Sequence, residues 1–263
     1  MQGKILTIAG SDPSGGAGIQ ADIKTISALG GYAMAAITAI TVQNTRKVYD
    51  VHPVPAKIVA AQVRAVLEDI LPDAIKVGMM SSAEIPKILY EIFSDYPNIP
   101  LIIDPVILST SGHQLLDQRG VEILISDILP RAHLITPNLA EVALLSGFDD
   151  IVTLDDMMRA GEKILSLGAG AVLVKGGHLP DDILTDILMT PEGKFEFTSP
   201  KIPTRNTHGT GCTLASAIAA GIGQGMPLKD AAARAHRYVH KAIQAAPQLG
   251  HGRGPLNHLV TLD

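Results

Sequence analysis

The chain has 263 residues, 46% of them hydrophobic and 18% charged, which provides enough apolar side chain for a large core and excludes intrinsic disorder. A formal net charge of −5 and an isoelectric point near 6.0 argue against a nucleic-acid or anionic-membrane surface, since both need clustered lysine and arginine. The lone cysteine, Cys212, excludes an intramolecular disulfide, and no apolar run approaches the roughly 20 residues of a membrane-spanning helix.

The opening MQGKILTIAG lacks the charged, apolar and cleavage regions of a secretory leader. The expectation is a soluble, cytoplasmic protein built as one domain over residues 1–263, with no linker, internal repeat or shift in composition to divide it.

Short β-branched runs alternate with longer stretches of helical period. The spacing predicts a strand at 5–8 and a helix at 19–29, strands at 35–39 and 48–54, a helix at 57–70, a strand at 74–77 and a helix at 82–93. It continues with strands at 101–103 and 134–136, a helix from Asn138, a helix at 154–167 and a strand at 171–174. Such alternation signals an α/β fold, a central mostly parallel sheet covered by helices on both faces. Between 183 and 198 two alternating runs flank Pro191-Glu192-Gly193, a hairpin signal that predicts one mixed edge. Helices at 211–224 and 227–245 follow, with Gly225 ending the first and Pro227 opening the second.

Gly10-Ser11-Asp12-Pro13-Ser14-Gly15-Gly16-Ala17-Gly18 joins the first strand to the first helix, beyond the carboxyl end of a strand, where open α/β sheets bind ligands. Gly16 and Ala17 stand where a Walker A loop needs Lys and Ser or Thr, and the next strand runs into Thr41-Val42-Gln43 instead of a ribose-binding acid. A tight strand-to-helix turn is the plainer alternative to a ligand-facing loop.

Asn206-Thr207-His208-Gly209-Thr210-Gly211-Cys212-Thr213 immediately precedes an apolar helix. Glycines there let backbone N–H groups converge, and the helix start adds partial positive charge, so Gly209, Thr210 and Gly211 form a candidate anion hole. Cys212 falls in the first turn, where that field favours a thiolate. A small buried cysteine is an equally good reading of this residue.

Three strand ends carry charge: Asp104-Pro105-Val106, Thr136-Pro137-Asn138-Leu139-Ala140-Glu141 and Lys175-Gly176-Gly177-His178. Asp104 and Glu141 are a candidate pair for Mg²⁺, which takes one or two carboxylates plus water and substrate phosphates. Spacing alone favours a different role for Glu141, a helix-start contact with Asn138 as the cap. For Lys175 the plainer alternative is a strand-end lysine with its ammonium in solvent, while Gly176 and Gly177 after it allow close approach of a ligand. His236 and His240 stand at i, i+4 without the glutamate of a zinc motif, and are expected on one face of a surface helix. A Ser-His-Asp hydrolase is unsupported, because no G-x-S-x-G elbow occurs.

Taken in order, these motifs, with Gln20-Ala21-Asp22, Gln43-Asn44-Thr45 and Lys76-Val77-Gly78-Met79, resemble the ribokinase-like small-molecule kinases from end to end. Within them they are similar to the hydroxymethylpyrimidine/phosphomethylpyrimidine kinases of thiamine biosynthesis. The resemblance implies a three-layer α/β/α sandwich, a homodimer, and two successive phosphorylations from MgATP, first of an aminopyrimidine alcohol and then of its monophosphate. It also implies that Asp22 and Gln43 hydrogen-bond the aminopyrimidine, that Gly10, Ala17, Met79 and Val106 line its pocket, and that Cys212 takes the proton of the attacking hydroxyl. Most ribokinase-like sugar kinases carry an Asp where Cys212 stands; a Cys is usual in the pyrimidine-kinase group. Lys175 would join the anion hole in stabilising the phosphoryl group.

Two alternatives share the fold: a pyridoxine/pyridoxal kinase, and a non-catalytic ligand sensor. Gln43 favours the pyrimidine, because an amide offers both a donor and an acceptor. On length, the expectation is a single kinase without a fused thiamine phosphate synthase.

Overall fold

A computed structural model describes residues 3–108, 114–177, 179 and 182–262; His178 of the lysine–glycine run lies outside the described residues. In chain order the elements are β1 (Lys4–Ser11), α1 (Gly18–Ala28), β2 (Tyr32–Gln43), β3 (Val48–Pro53), α2 (Ala56–Asp69), β4 (Ala74–Val77), α3 (Glu84–Ser94) and β5 (Leu101–Ile103). There follow α4 (Gln118–Ile123), β6 (Leu134–Ile135), α5 (Leu139–Ser146), α6 (Leu154–Ser166), β7 (Val172–Val174), β8 (Ile183–Thr190), β9 (Gly193–Pro200), α7 (Thr210–Gly223) and α8 (Leu228–Gln244). A π turn over Leu124–Ile128 and a 3₁₀ turn over Leu129–Arg131 continue α4.

Among the described residues the strands form one sheet of nine, ordered β3-β2-β1-β4-β5-β6-β7-β8-β9. The run from β2 to β7 is parallel, as expected of strands joined by helices. The β8–β9 hairpin makes the mixed edge that the sequence predicts. The opposite edge departs from expectation: β3 returns antiparallel to β2, because only Asn44 to Lys47 separate the two strands, too few residues for a crossover. α4 and the turns after it are a second departure: no helix is expected there, although Val121, Leu124, Ile125, Ile128 and Leu129 recur at helical spacing and pack on the core.

The period of two in the strands assigns residues to faces. Leu6 and Ile8 of β1, with Ile75 and Val77 of β4, join the core under α2, α3, α5 and α6. Ile5 and Ala74 join the core under α1, α7 and α8. Thr7 and Lys76 alternate with those apolar residues, and both are fully buried on the α1/α7 side. α7 carries Ala215, Ala217, Ala219 and Ala220, all buried, and such small side chains let a helix lie deep between α1 and α8. No helix among the described residues is long and apolar enough to cross a membrane.

Candidate active site

Asp12 organises the glycine-rich loop after β1. Its carboxylate accepts the backbone N–H groups of Ser14, Gly16 and Ala17 at 2.8, 3.2 and 2.9 Å and the Ser14 hydroxyl at 2.7 Å. Burial pushes this carboxyl up, but the hydrogen bonds from His208 and Ser14 outweigh it and hold it below the ordinary carboxylate range. Gly18 has φ of +56°, and a side chain there would collide with the Gly10 carbonyl, so the loop closes against its own strand only with glycine at that position.

The second loop faces the first. Gly209 caps α7 with φ of +84°, and a Cβ on it would run into the carbonyl of Gly16. A helix start leaves its first amides without intrahelical carbonyl partners, and Gly209, Thr210, Gly211 and Cys212 all border one cavity of about 630 Å³. His208, at the entry to this turn, places Nε2 2.8 Å from Asp12 Oδ2 and so ties the two loops together.

Beneath the start of α7 lie the charged strand ends. Lys175 Nζ meets Asp104 Oδ1 at 3.1 Å, with both side chains largely buried. Burial works to lower the Lys175 ammonium, but Asp104 and Glu141 reverse that and the net shift is upward. Lys175 is therefore a fixed, fully charged cation paired within the site, and not a lysine reaching into solvent. Glu141 fulfils the capping reading: it accepts from Asn138 N–H at 2.9 Å while Asn138 Oδ1 accepts from its own N–H at 3.0 Å. Its other oxygen accepts from Ile107 N–H at 3.2 Å. Burial, the largest influence on it, leaves its carboxyl raised.

The donor set fits Mg²⁺ in part. Among the described residues no group of three or more His, Cys, Asp or Glu stands together as a metal site. Asp104 borders the cavity with one oxygen committed to Lys175. Gly211 keeps the space above it open, since a Cβ there would lie 3.6 Å from both Asp104 oxygens.

Cys212 also borders the cavity. The expectation of a resting thiolate is corrected: burial pushes the thiol up to about 12, with Asp104 and Asp22 adding to the rise, while Lys76 and the Gly18 N–H pull against it. Desolvation here outweighs the field of the helix start.

Gly10, Ala17, Gln43, Met79 and Val106 all line the same cavity. Val106 has φ of +39°, an unusual conformation for a β-branched residue. Asp22 does not line it, which corrects the ligand-binding role expected for that residue. It is fully buried and occupied by protein partners: Thr7 Oγ1 at 2.5 Å, Ser216 Oγ at 2.7 Å and Lys76 Nζ at 3.0 and 3.1 Å. Those partners come from β1, α7 and β4, and the pair lies under α7, where no ligand contact is needed to satisfy it. His236 is corrected too: its side chain is only 10% exposed and its Nδ1 lies 3.2 Å from Asp186 Oδ2, so it faces β8 instead of solvent.

The residues that sequence reasoning missed are Asp12, His208, Lys76 and Ser216. Asp12, His208 and Lys76 sit inside motifs already singled out, but the residues beside them drew the reading; Ser216 sits in a run that reads as ordinary helix.

A family model described as phosphomethylpyrimidine kinase matches residues 12–257. A protein of Rhizobium meliloti named hydroxymethylpyrimidine/phosphomethylpyrimidine kinase is 48% identical over 255 residues, 96% of each chain. A thiamine biosynthesis bifunctional protein of Geobacter sulfurreducens is 44% identical over 262 residues, and the chain spans about half of that relative's length, 53%. Among solved structures, an ADP complex of Bacillus subtilis pyridoxal kinase is similar with a TM-score of 0.92 at 35% identity, covering 98% of both chains.

Proposed function

The chain belongs to the phosphomethylpyrimidine kinase family, and on that premise we propose that it phosphorylates 4-amino-5-hydroxymethyl-2-methylpyrimidine from ATP and then phosphorylates the monophosphate, supplying the diphosphate for thiamine biosynthesis. The observation that carries the reading is the meeting, around one cavity, of the α7 start, the Lys175–Asp104 pair, Cys212 and the Gln43 amide. An anion hole and a fixed cation suit a transferring phosphoryl group, while an amide suits a nitrogen heterocycle.

In the proposed step the hydroxymethyl oxygen attacks the γ-phosphorus as the bond to the ADP oxygen breaks. ADP leaves with that electron pair, and the alcohol proton passes to Cys212 Sγ in its thiolate form. Lys175 and the Gly209, Gly211 and Cys212 amides at the start of α7 balance the charge on the phosphoryl oxygens, while the Thr210 N–H and hydroxyl donate to the Thr207 carbonyl at 3.3 and 2.8 Å and hold the turn. Lys76 beneath the helix, whose influence on Cys212 is to favour the charged form, offsets part of the desolvation that keeps the thiol protonated. Mg²⁺, when bound, would supply further positive charge to the phosphates. Asp104 would hold it directly, and Glu141, whose two oxygens already accept backbone N–H bonds, would serve its water shell.

The expected homodimer is supported by the β2–β3 ribbon at the sheet edge, which leaves Ile40, Val42 and Tyr49 52%, 55% and 54% exposed, more apolar surface than an edge ribbon normally leaves to water.

The test is incubation of the protein with MgATP and either the aminopyrimidine alcohol or pyridoxal, with products identified by mass spectrometry over time. A pyrimidine monophosphate followed by a diphosphate is the expected result; pyridoxal phosphate alone overturns the substrate assignment, and no ATP consumption overturns the reading as a kinase.

A further inference from the structure

His208 stands between two groups that compete for one nitrogen. Its Nε2 lies 2.8 Å from Asp12 Oδ2 and 3.2 Å from the terminal nitrogen of the Gln43 amide. Asp12 is an acceptor only: it is held ionised below the ordinary carboxylate range, and its oxygens already take the N–H groups of Ser14, Gly16 and Ala17. A bare Nε2 facing that carboxylate would set lone pair against lone pair, so Nε2 carries a hydrogen, whether the ring as a whole is neutral or charged.

A donor at Nε2 cannot face the NH₂ of Gln43. Half a turn about the last side-chain bond exchanges the amide nitrogen and oxygen without changing the shape of the group, and the hydrogen-bond network decides which is present. We infer that Asp12 and His208 act as positioning residues that turn the Gln43 carbonyl toward the imidazole and its NH₂ into the cavity, so that the site selects a heteroaromatic alcohol presenting an unprotonated ring nitrogen. This deepens the proposed function and rests on it. An aminopyrimidine ring nitrogen accepts the hydrogen bond. A pyridine ring in its protonated form offers an N–H to that NH₂ and is disfavoured, because two donors are left facing each other in a half-buried site.

Packing keeps the imidazole where the argument needs it. The His208 side chain is 13% exposed, its backbone N–H donates to the Gly254 carbonyl at 3.1 Å, and Gly16 leaves so little room that a Cβ there would come within 2.5 Å of the ring. Polarity is thus passed from the glycine-rich loop, through Asp12 and His208, to an amide on a different strand.

Two variants test it against wild type, with the aminopyrimidine alcohol and pyridoxal as paired substrates. Gln43→Glu keeps an acceptor for His208 but offers no donor to the cavity. It should raise KM for the aminopyrimidine roughly ten- to hundredfold while leaving KM for ATP unaltered, and shift the kcat/KM ratio toward pyridoxal. His208→Ala frees the amide to adopt either orientation and should shift the same ratio in the same direction by a smaller factor. Unchanged selectivity in both variants overturns the inference while leaving the kinase reading intact. A wild-type protein that turns over no aminopyrimidine overturns both.

Discussion

Gly211 covers the ion pair formed by Lys175 with Asp104 so closely that a methyl group on it would come within 3.1 Å of Lys175 Nζ. That single position separates what the helix prefers from what the site needs.

Gly211→Ala is expected to keep the fold. The residue lies in the first turn of α7 without the positive φ that marks Gly209, and alanine is the better helix former by about 1 kcal/mol in a helix interior. The thermal midpoint should stay level or rise slightly, while kcat/KM for ATP falls roughly tenfold or more as the ammonium is displaced. Calorimetry and steady-state kinetics on one preparation check both halves. A fully active Gly211→Ala would show that the Lys175 ammonium can give way to the added methyl group without loss of function.

Cys212 gives a prediction for pH. Its thiol is pushed up to about 12, chiefly by burial, so if the thiolate is the working form its population grows about tenfold for each pH unit below that value. Turnover of the aminopyrimidine should climb from pH 6 to 9 without a plateau. Cys212→Ala should lower kcat by roughly 10²- to 10⁴-fold and flatten the profile. A bell centred near neutrality in the wild type would point to another base.

The buried Asp22–Lys76 pair predicts a stability effect in place of a binding effect. Both side chains are fully buried, and removing one partner leaves an uncompensated charge in the core, a loss of about 3–5 kcal/mol. Asp22→Ala should therefore lower the urea midpoint sharply. Lys76→Met combined with Asp22→Leu should recover much of the loss, since a packed apolar pair escapes the desolvation penalty. A fully stable Asp22→Ala with raised KM for the aminopyrimidine would restore Asp22 to the ligand.

His258 predicts acid sensitivity. Burial, helped by Lys24, lowers its pKa to about 4, and Nε2 lies 3.0 Å from Thr213 Oγ1 in α7. The unfolded chain, with an ordinary value near 6.5, binds more protons between those two pH values, so stability rises with pH there. The contribution is complete above about pH 6.5 and is lost as pH falls toward 4. His258→Asn should flatten the dependence of the urea midpoint over that window; an unaltered slope would assign the acid sensitivity elsewhere.

Much of this protein can be read from the order of its residues. Period-two strands alternating with helical stretches specify a parallel sheet, and glycines ahead of an apolar helix specify an anion-binding start, because both signals are local and follow from backbone geometry. The capping of α5 by Asn138 and Glu141 was legible for the same reason: its partners are three residues apart. The return of β3 against β2 was not anticipated, although the short Asn44 to Lys47 connection carried the signal.

What only the tertiary structure decided is how distant groups pair. Asp22 has the polarity of a ligand contact, but its partners Thr7, Lys76 and Ser216 come from three other elements, and their convergence withdraws it from the cavity. Cys212 sits where a helix field should ionise it, yet burial beside two carboxylates holds the thiol up. His208 and Asp12, separated by 196 positions in the chain, become one unit only when two loops close face to face. Charge, desolvation and hydrogen-bond polarity depend on distance in space, and no periodicity along the chain encodes those distances.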